Sequence, residues 1–177
     1  MNFYELIAKR QSERQYDTRP IEAEKIMQCI EAARMAPSAC NAQPWKFIVV
    51  DEPELKQQLA AATAGMGMNK FAFDAPVIVA IVLEKPNMMS KIGSVLKGKE
   101  YTLIDIGIAA THFCLQATDL GLGTCMIGWF DEKKVRKLLQ IPNKKRIPLL
   151  LTVGYSTDEM RKKQRKELNI VYSANKY

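Results

Sequence analysis

The chain has 177 residues, of which 47% are hydrophobic and 25% charged, a composition typical of one globular domain spanning residues 1–177. It excludes a disordered chain and a collagen, and no apolar run approaches the roughly 20 residues of a membrane-spanning helix. The net charge of +7 predicts an anionic partner, such as nucleic acid, an acidic surface or a phosphorylated small molecule. The four cysteines form no CxxC pair, so we expect reduced thiols and a cytoplasmic protein.

The first half of the chain alternates helical patterns with strand-like apolar runs. We predict helices over about 2–9 and 22–35, strands over 45–50 and 77–83, and a helix between these strands. Pro37 limits the second helix, because the residue before a proline avoids helical backbone. Asp51 is the predicted N-cap of the third helix, which has Pro53 in its first turn. The run 77–83 is almost entirely apolar, which is typical of a strand covered on both faces.

The second half contains one unusually apolar helix. The segment 84–100 is basic and contains glycine, which predicts a mobile loop that leaves the main fold. A long helix is predicted to follow over about 103–120. So apolar a helix must be buried on most sides, and its small residues indicate close packing against a second subunit. Further predicted elements are strands over 124–129, 148–155 and 168–172 and a helix capped by Asp131. The elements lack a regular βαβ rhythm, which favours an α+β fold with a mostly antiparallel sheet flanked by helices.

The sequence lacks the residues of most self-contained catalysts. His112 is the single histidine, and no GxSxG elbow or catalytic cysteine signature accompanies it. Zinc motifs are absent, and Gly121-Leu122-Gly123 is only a fragment of GxGxxG, because Met126 stands where the third glycine is required. A basic chain of this kind suits a bound anionic cofactor that performs the chemistry.

Four segments are candidate binding elements. Arg10–Tyr16 has two arginines four residues apart with Ser12 between them, and either grips a phosphate or forms an ordinary basic helix end. Pro37–Trp45 is a proline-braced polar loop that exposes backbone groups, or a plain connection. Gly121–Gly128 is a turn and strand bracketed by glycines. Lys163-Gln164-Arg165 binds an anion or belongs to a solvated tail.

In their order and spacing, these segments resemble the nitroreductase family of FMN-dependent oxidoreductases. Arg10–Tyr16 is similar to the family's R-x-S-x-R-x-[FY] motif, Pro37–Trp45 is similar to its PS-x-x-NxQPW loop, and Asp74-Ala75-Pro76 also matches. The resemblance covers essentially the whole chain. It implies a nitroreductase-like α+β fold and an intertwined homodimer with exchange of the C-terminal segments. FMN is then expected at the subunit interface, with the PS-x-x-NxQPW loop contributed across that interface.

The resemblance also implies which residues contact FMN. The phosphate is expected at Arg10, Ser12, Lys163 and Arg165, while Arg161 and Lys162 are expected to contribute little. Arg14 is expected to reach the pyrimidine end of the flavin, where a positive charge stabilises the reduced ring. The residues predicted to line the ring are Pro37, Ser38, Ala39, Asn41, Asn69, Met126, Ile127 and Gly128. Two features depart from the family: Gln11 replaces a residue that is often basic, and 84–100 is shorter than the lid insertion of larger members.

The implied activity is NAD(P)H-dependent reduction of nitroaromatics, quinones or similar planar electrophiles. Hydride passes from NAD(P)H to FMN and then to an acceptor on the same face, a ping-pong scheme in which FMN carries the chemistry and no catalytic side chain is required. The expected partners are a second copy of the chain and a small-molecule electron acceptor, with no nucleic acid, membrane or metal. Two alternatives stay open, namely a flavin carrier or sensor without turnover and a basic protein that binds an anionic partner.

Overall fold

The computed structural model describes residues 1–88 and 96–177. Residues 89–95 lie outside the described residues, so a mobile loop within 84–100 stays a prediction. No helix in the two described ranges combines the length and hydropathy that crossing a bilayer requires.

The described chain folds into helices on both faces of one four-stranded sheet. The helices are α1 (Phe3–Lys9), α2 (Ala23–Arg34), α3 (Pro53–Thr63), α4 (Tyr101–Asp119), α5 (Glu132–Leu138) and α6 (Leu168–Val171). The strands are β1 (Trp45–Val50), β2 (Val77–Leu83), β3 (Gly123–Ile127) and β4 (Arg146–Gly154). They pair in the order β1-β2-β4-β3, and all three ladders are antiparallel. The predicted α+β class with an antiparallel sheet is confirmed.

Two local predictions are wrong and one strand is shorter than expected. Residues 168–172 form the short helix α6 instead of a strand, because their backbone bonds locally, with the Ile170 N–H donating to the Glu167 carbonyl. The N-cap of α3 is Glu52, whose carboxylate accepts from the backbone N–H groups of the first turn, and not Asp51. β3 ends at Ile127 instead of residue 129.

The core has two layers because β2 and β4 lie at the centre of the sheet. Alternate residues of these strands face opposite sides, as the pleat requires. Val79 and Leu151 pack under α2 and α4, whereas Ile78 and Leu150 pack under α3 and α5. The prediction that 77–83 is a strand covered on both faces is confirmed, and the rigid sheet positions the loops at its edges.

One side of α4 is uncovered within the single chain. Ile106 and Phe113 are fully buried, but Leu103 is 44% exposed and Ile104 is 55% exposed. The neighbouring helix α1 has no buried residue, and its Phe3 is 63% exposed. The expected burial of α4 on most sides is therefore incomplete in one chain. Exposed apolar side chains of this kind could be buried by another molecule.

Candidate functional site

The N-terminal motif and the C-terminal basic segment meet beside β3. Ser12 forms a parallel bridge to Thr124, and the Glu13 N–H donates to the Thr124 carbonyl at 2.9 Å. Gly123 permits this approach, because a Cβ atom there would lie 2.6 Å from the Glu13 Cγ and 2.8 Å from the Ser156 Cβ. The glycine of the candidate turn therefore has a packing role.

Gln11 fastens the two segments together. It is only 8% exposed, and its Nε2 donates to the Glu13 Oε2 at 3.1 Å and to the Glu159 carbonyl at 3.0 Å. Its Oε1 accepts from the Arg161 N–H at 3.1 Å. The position that departs from the family motif is therefore a buried clamp, which the sequence did not reveal.

Four cations concentrate where the segments meet, and we call them the basic cluster: Arg10, Arg161, Lys163 and Arg165. The Lys163 ammonium donates to the Arg10 carbonyl, and the Arg161 guanidinium donates to the Ser12 carbonyl. Burial lowers the pKa of Lys163, and the positive charges of Arg165, Arg10 and Arg161 lower that pKa further. The mutual repulsion would be offset by a phosphate dianion, which fits the chemistry expected here. Arg161, which was expected from the sequence to contribute little, belongs to this cluster.

Two carboxylates lie behind the basic cluster and fix its backbone. The Arg14 N–H donates to the Asp158 carboxylate, and the Glu13 Oε2 accepts from the Ser156 Oγ at 2.9 Å. Burial raises the pKa of Glu13, and the neighbouring Asp158 raises that pKa further. These acids shape the segment between Gln11 and Tyr16 and also limit the local excess of positive charge.

Arg14 and Asn69 lie near the other end of β3. The Arg14 guanidinium carbon is 5.9 Å from the centroid of the Phe71 ring, and its side chain is exposed. Burial raises the pKa of Cys125 in β3, and the charge of Arg14 opposes this shift. The Asn69 Nδ2 donates to the Trp129 carbonyl at 3.1 Å and to the Thr63 carbonyl at 3.3 Å. The two hydrogens of its side-chain amide therefore connect the loop that follows α3 to the loop that follows β3.

The three residues at the end of β3 face different environments. Met126 is half-buried against the core layer under α4, and Ile127 is buried in the opposite layer. Gly128 is exposed, and a Cβ atom placed on it would meet no atom within 4 Å. A flat ring can therefore approach the backbone at Gly128, while the Ile127 side chain is committed to the core.

The loop after α2 has a left-handed backbone at several positions. The φ angles are 52° at Cys40, 51° at Asn41 and 45° at Gln43, which is costly for residues other than glycine. Gln43 stabilises the loop through its N–H, which donates to the Ser38 Oγ, and its Nε2, which donates to the Asn41 Oδ1, both at 3.0 Å. No hydrogen bond or ion pair among residues 1–88 and 96–177 joins this loop to the basic cluster. A site shared between two subunits would have this property.

Comparison with known proteins decides the family. The model of the nitroreductase family matches residues 7–155. The chain belongs to the nitroreductase family. An oxygen-insensitive NADPH nitroreductase of Helicobacter acinonychis is 28% identical, with 93% of this chain and 92% of that protein covered.

Two solved structures share the fold of this nitroreductase. A nitroreductase family protein of Clostridium novyi is 34% identical with a TM-score of 0.77, over 89% of this chain and 87% of that one. An FMN-dependent nitroreductase of Clostridium difficile is 28% identical with a TM-score of 0.79, over 97% and 98%. The resemblance found in the sequence is confirmed, and the protein is an NAD(P)H-dependent oxidoreductase with FMN as its cofactor.

Proposed function

We propose that this nitroreductase reduces nitroaromatics, quinones or similar planar electrophiles with NAD(P)H by a ping-pong mechanism. The observation that carries the proposal is the basic cluster beside the start of β3, where burial and then the neighbouring cations lower the pKa of Lys163. Gly128 comes directly after the last residue of β3, and four residues of extended backbone place it about 13 Å from Thr124 near the start of the strand. One ligand with a phosphate at one end and a flat ring at the other can reach both places.

The protein's own residues bind and orient the cofactor. Arg10, Lys163 and Arg165 supply charge for the phosphate, and Ser12 lies within the same segment. Arg14 supplies a positive charge beside β3, where it can stabilise a ring that gains electrons. When bound, FMN supplies the redox chemistry by accepting a hydride from NAD(P)H and passing it to the acceptor. The exposed backbone at Gly128 leaves one face of the site open for successive planar substrates.

No proton-transferring side chain is needed in this scheme. His112 lies in α4 with its Nδ1 3.2 Å from the Ala32 carbonyl, so the ring is engaged in helix packing. The protein's side chains instead position the cofactor and the substrate and place positive charge beside the flavin. A flavin carrier or sensor would use the same binding residues but would not turn over, and only kinetics separates it from an enzyme. The four unpaired cysteines support a cytoplasmic location.

We infer that the functional form is a homodimer. The exposed apolar side of α4, with Leu103 and Ile104, gives the second copy a surface to bury. The loop with Pro37, Ser38, Ala39 and Asn41 would then line the ring bound to the other subunit. Exchange of the C-terminal segments is part of this proposal. The side chains of α6 support it, because Leu168 and Ile170 are 74% and 66% exposed.

Steady-state kinetics test the proposal. Initial rates are measured while NAD(P)H and a nitroaromatic or quinone acceptor are both varied, and we expect parallel double-reciprocal lines. Heat should release a flavin that chromatographs as FMN. Intersecting lines would show a ternary complex and contradict the single open face. Bound FMN without NAD(P)H oxidation would instead favour the carrier or sensor.

A further inference from the structure

Asp105 is a buried carboxylate on α4 that no predicted role uses. It is 3% exposed, and its neighbours in sequence are the exposed Ile104 and the buried Ile106. Its Oδ1 accepts from the Ala39 N–H at 3.0 Å. Its Oδ2 is buried and has no hydrogen-bond partner among the described residues. Buried polar atoms without partners are rare, and each one requires an explanation.

Ala39 lies in the loop whose backbone is left-handed at Cys40, Asn41 and Gln43. Such a loop persists only when several contacts determine its shape. The bonds that Gln43 makes with Ser38 and Asn41 are exposed, as is the bond from the Asn87 Nδ2 to the Cys40 carbonyl at 2.8 Å. The bond between Asp105 and Ala39 is partly buried, so water competes for it less.

We propose that Asp105 is a positioning residue for the cofactor: by accepting the Ala39 N–H it holds the loop in the shape that binds FMN. This inference rests on the proposed role of the loop in lining the flavin ring. The Gln43 amide donates to the Asn41 Oδ1, so a loop of this shape also fixes the orientation of the Asn41 side-chain amide. Burying a carboxylate with one unpartnered oxygen costs free energy of folding. Such a cost is consistent with a residue whose role lies in the functional site and not in stability.

Two variants of similar side-chain volume separate positioning from folding. Asp105→Asn retains an oxygen that can accept from the Ala39 N–H, whereas Asp105→Leu retains the volume and removes the acceptor. Asp105→Leu removes the unpartnered Oδ2, which favours folding, but it also leaves the Ala39 N–H without its acceptor, which opposes folding. Because these two effects oppose each other, we expect little change in the apo-protein's Tm. We expect Asp105→Leu to weaken FMN binding about tenfold or more, and Asp105→Asn to bind FMN within about threefold of the unchanged protein.

The experiment measures the FMN dissociation constant by flavin fluorescence and the Tm of each apo-protein. Asp119→Leu is the matched control, because Asp119 is an exposed carboxylate at the other end of α4 and should not affect FMN. Three outcomes would overturn the inference: unchanged affinity in Asp105→Leu, equal loss in both variants, or a loss accompanied by a lower Tm or failure to fold. If the unchanged protein itself fails to bind FMN, the proposed function fails first, so the two failures are distinguishable.

Discussion

The centre of the sheet and the basic cluster differ in where they find their partners. Every residue of β2 from Val77 to Val82 is buried between two apolar layers that this one chain supplies. The basic cluster instead gathers cations that repel one another, and the pKa of Lys163 is lowered first by burial and then by the charges of the cluster's three arginines. The comparison teaches that one chain completes the core around its sheet, whereas we propose that a bound anion and a second subunit complete its site.

The largest effect is expected where the second subunit would bind. Ile104→Lys places a charge on the exposed apolar side of α4, and burying that charge in an interface without a partner is costly. We expect a monomer without bound FMN, measured by light scattering and by the flavin content of the purified protein. Gln58→Lys adds the same charge to the exposed face of α3 and should remain a flavin-loaded dimer. A flavin-loaded Ile104→Lys dimer would place the subunit interface elsewhere.

A smaller but still large effect is expected at Arg161. Because its guanidinium lies against Ser12 within the basic cluster, Arg161→Ala should weaken FMN by roughly 10–150-fold, the cost of about 1.5–3 kcal/mol for a lost charged hydrogen bond. This revises the expectation from sequence that Arg161 contributes little. Lys162→Ala removes an exposed neighbouring cation and should have little effect. Equal affinities for the two variants, measured by fluorescence titration, would remove Arg161 from the site.

The titration of Lys163 should make FMN binding depend on pH. Burial and three cations lower the pKa of Lys163 below its ordinary 10.5, and a bound phosphate would raise that pKa again. Above the phosphate's second pKa of about 6, FMN affinity should therefore be constant up to the lowered pKa of Lys163 and fall several-fold as the pH rises through it toward 10.5. Lys163→Arg keeps its charge throughout and should flatten the profile. The same profile in both proteins would assign the pH dependence to another group.

The smallest expected effect concerns Glu13, behind the cluster. Burial raises the pKa of this carboxyl above 4.5, so its ionised form opposes folding. Stability is therefore lost as the pH rises from 4.5 through the folded-state pKa. Glu13→Gln should raise the Tm by about 2 °C at pH 7 and leave it unchanged at pH 4. A lower Tm at pH 7 would show that the hydrogen bonds from Gln11 and Ser156 require the carboxylate.

The sequence predicted the elements whose signal is local and missed residues whose role depends on distant contacts. The uninterrupted apolar run of β2 predicted its bounds from Val77 to Leu83, which the structure confirms. The motif spacing pointed to Arg10 and Lys163, which the fold does bring together. The structural role of Gln11 was missed because its partner Glu159 is 148 positions away, and the Asp105 bond to Ala39 spans 66 positions. The only local signal at Asp105 was a carboxylate in an apolar helix.

The central claim, that the basic cluster binds the phosphate of FMN, is tested most directly by comparing FMN with riboflavin. Riboflavin lacks the phosphate, so Arg165→Ala should weaken FMN by roughly 10–150-fold and barely change the affinity for riboflavin. Both dissociation constants are measured by fluorescence titration of the same apo-protein, with Lys162→Ala as the matched control. An equal loss for both flavins would show that Arg165 acts through folding or subunit packing, and it would contradict the phosphate assignment.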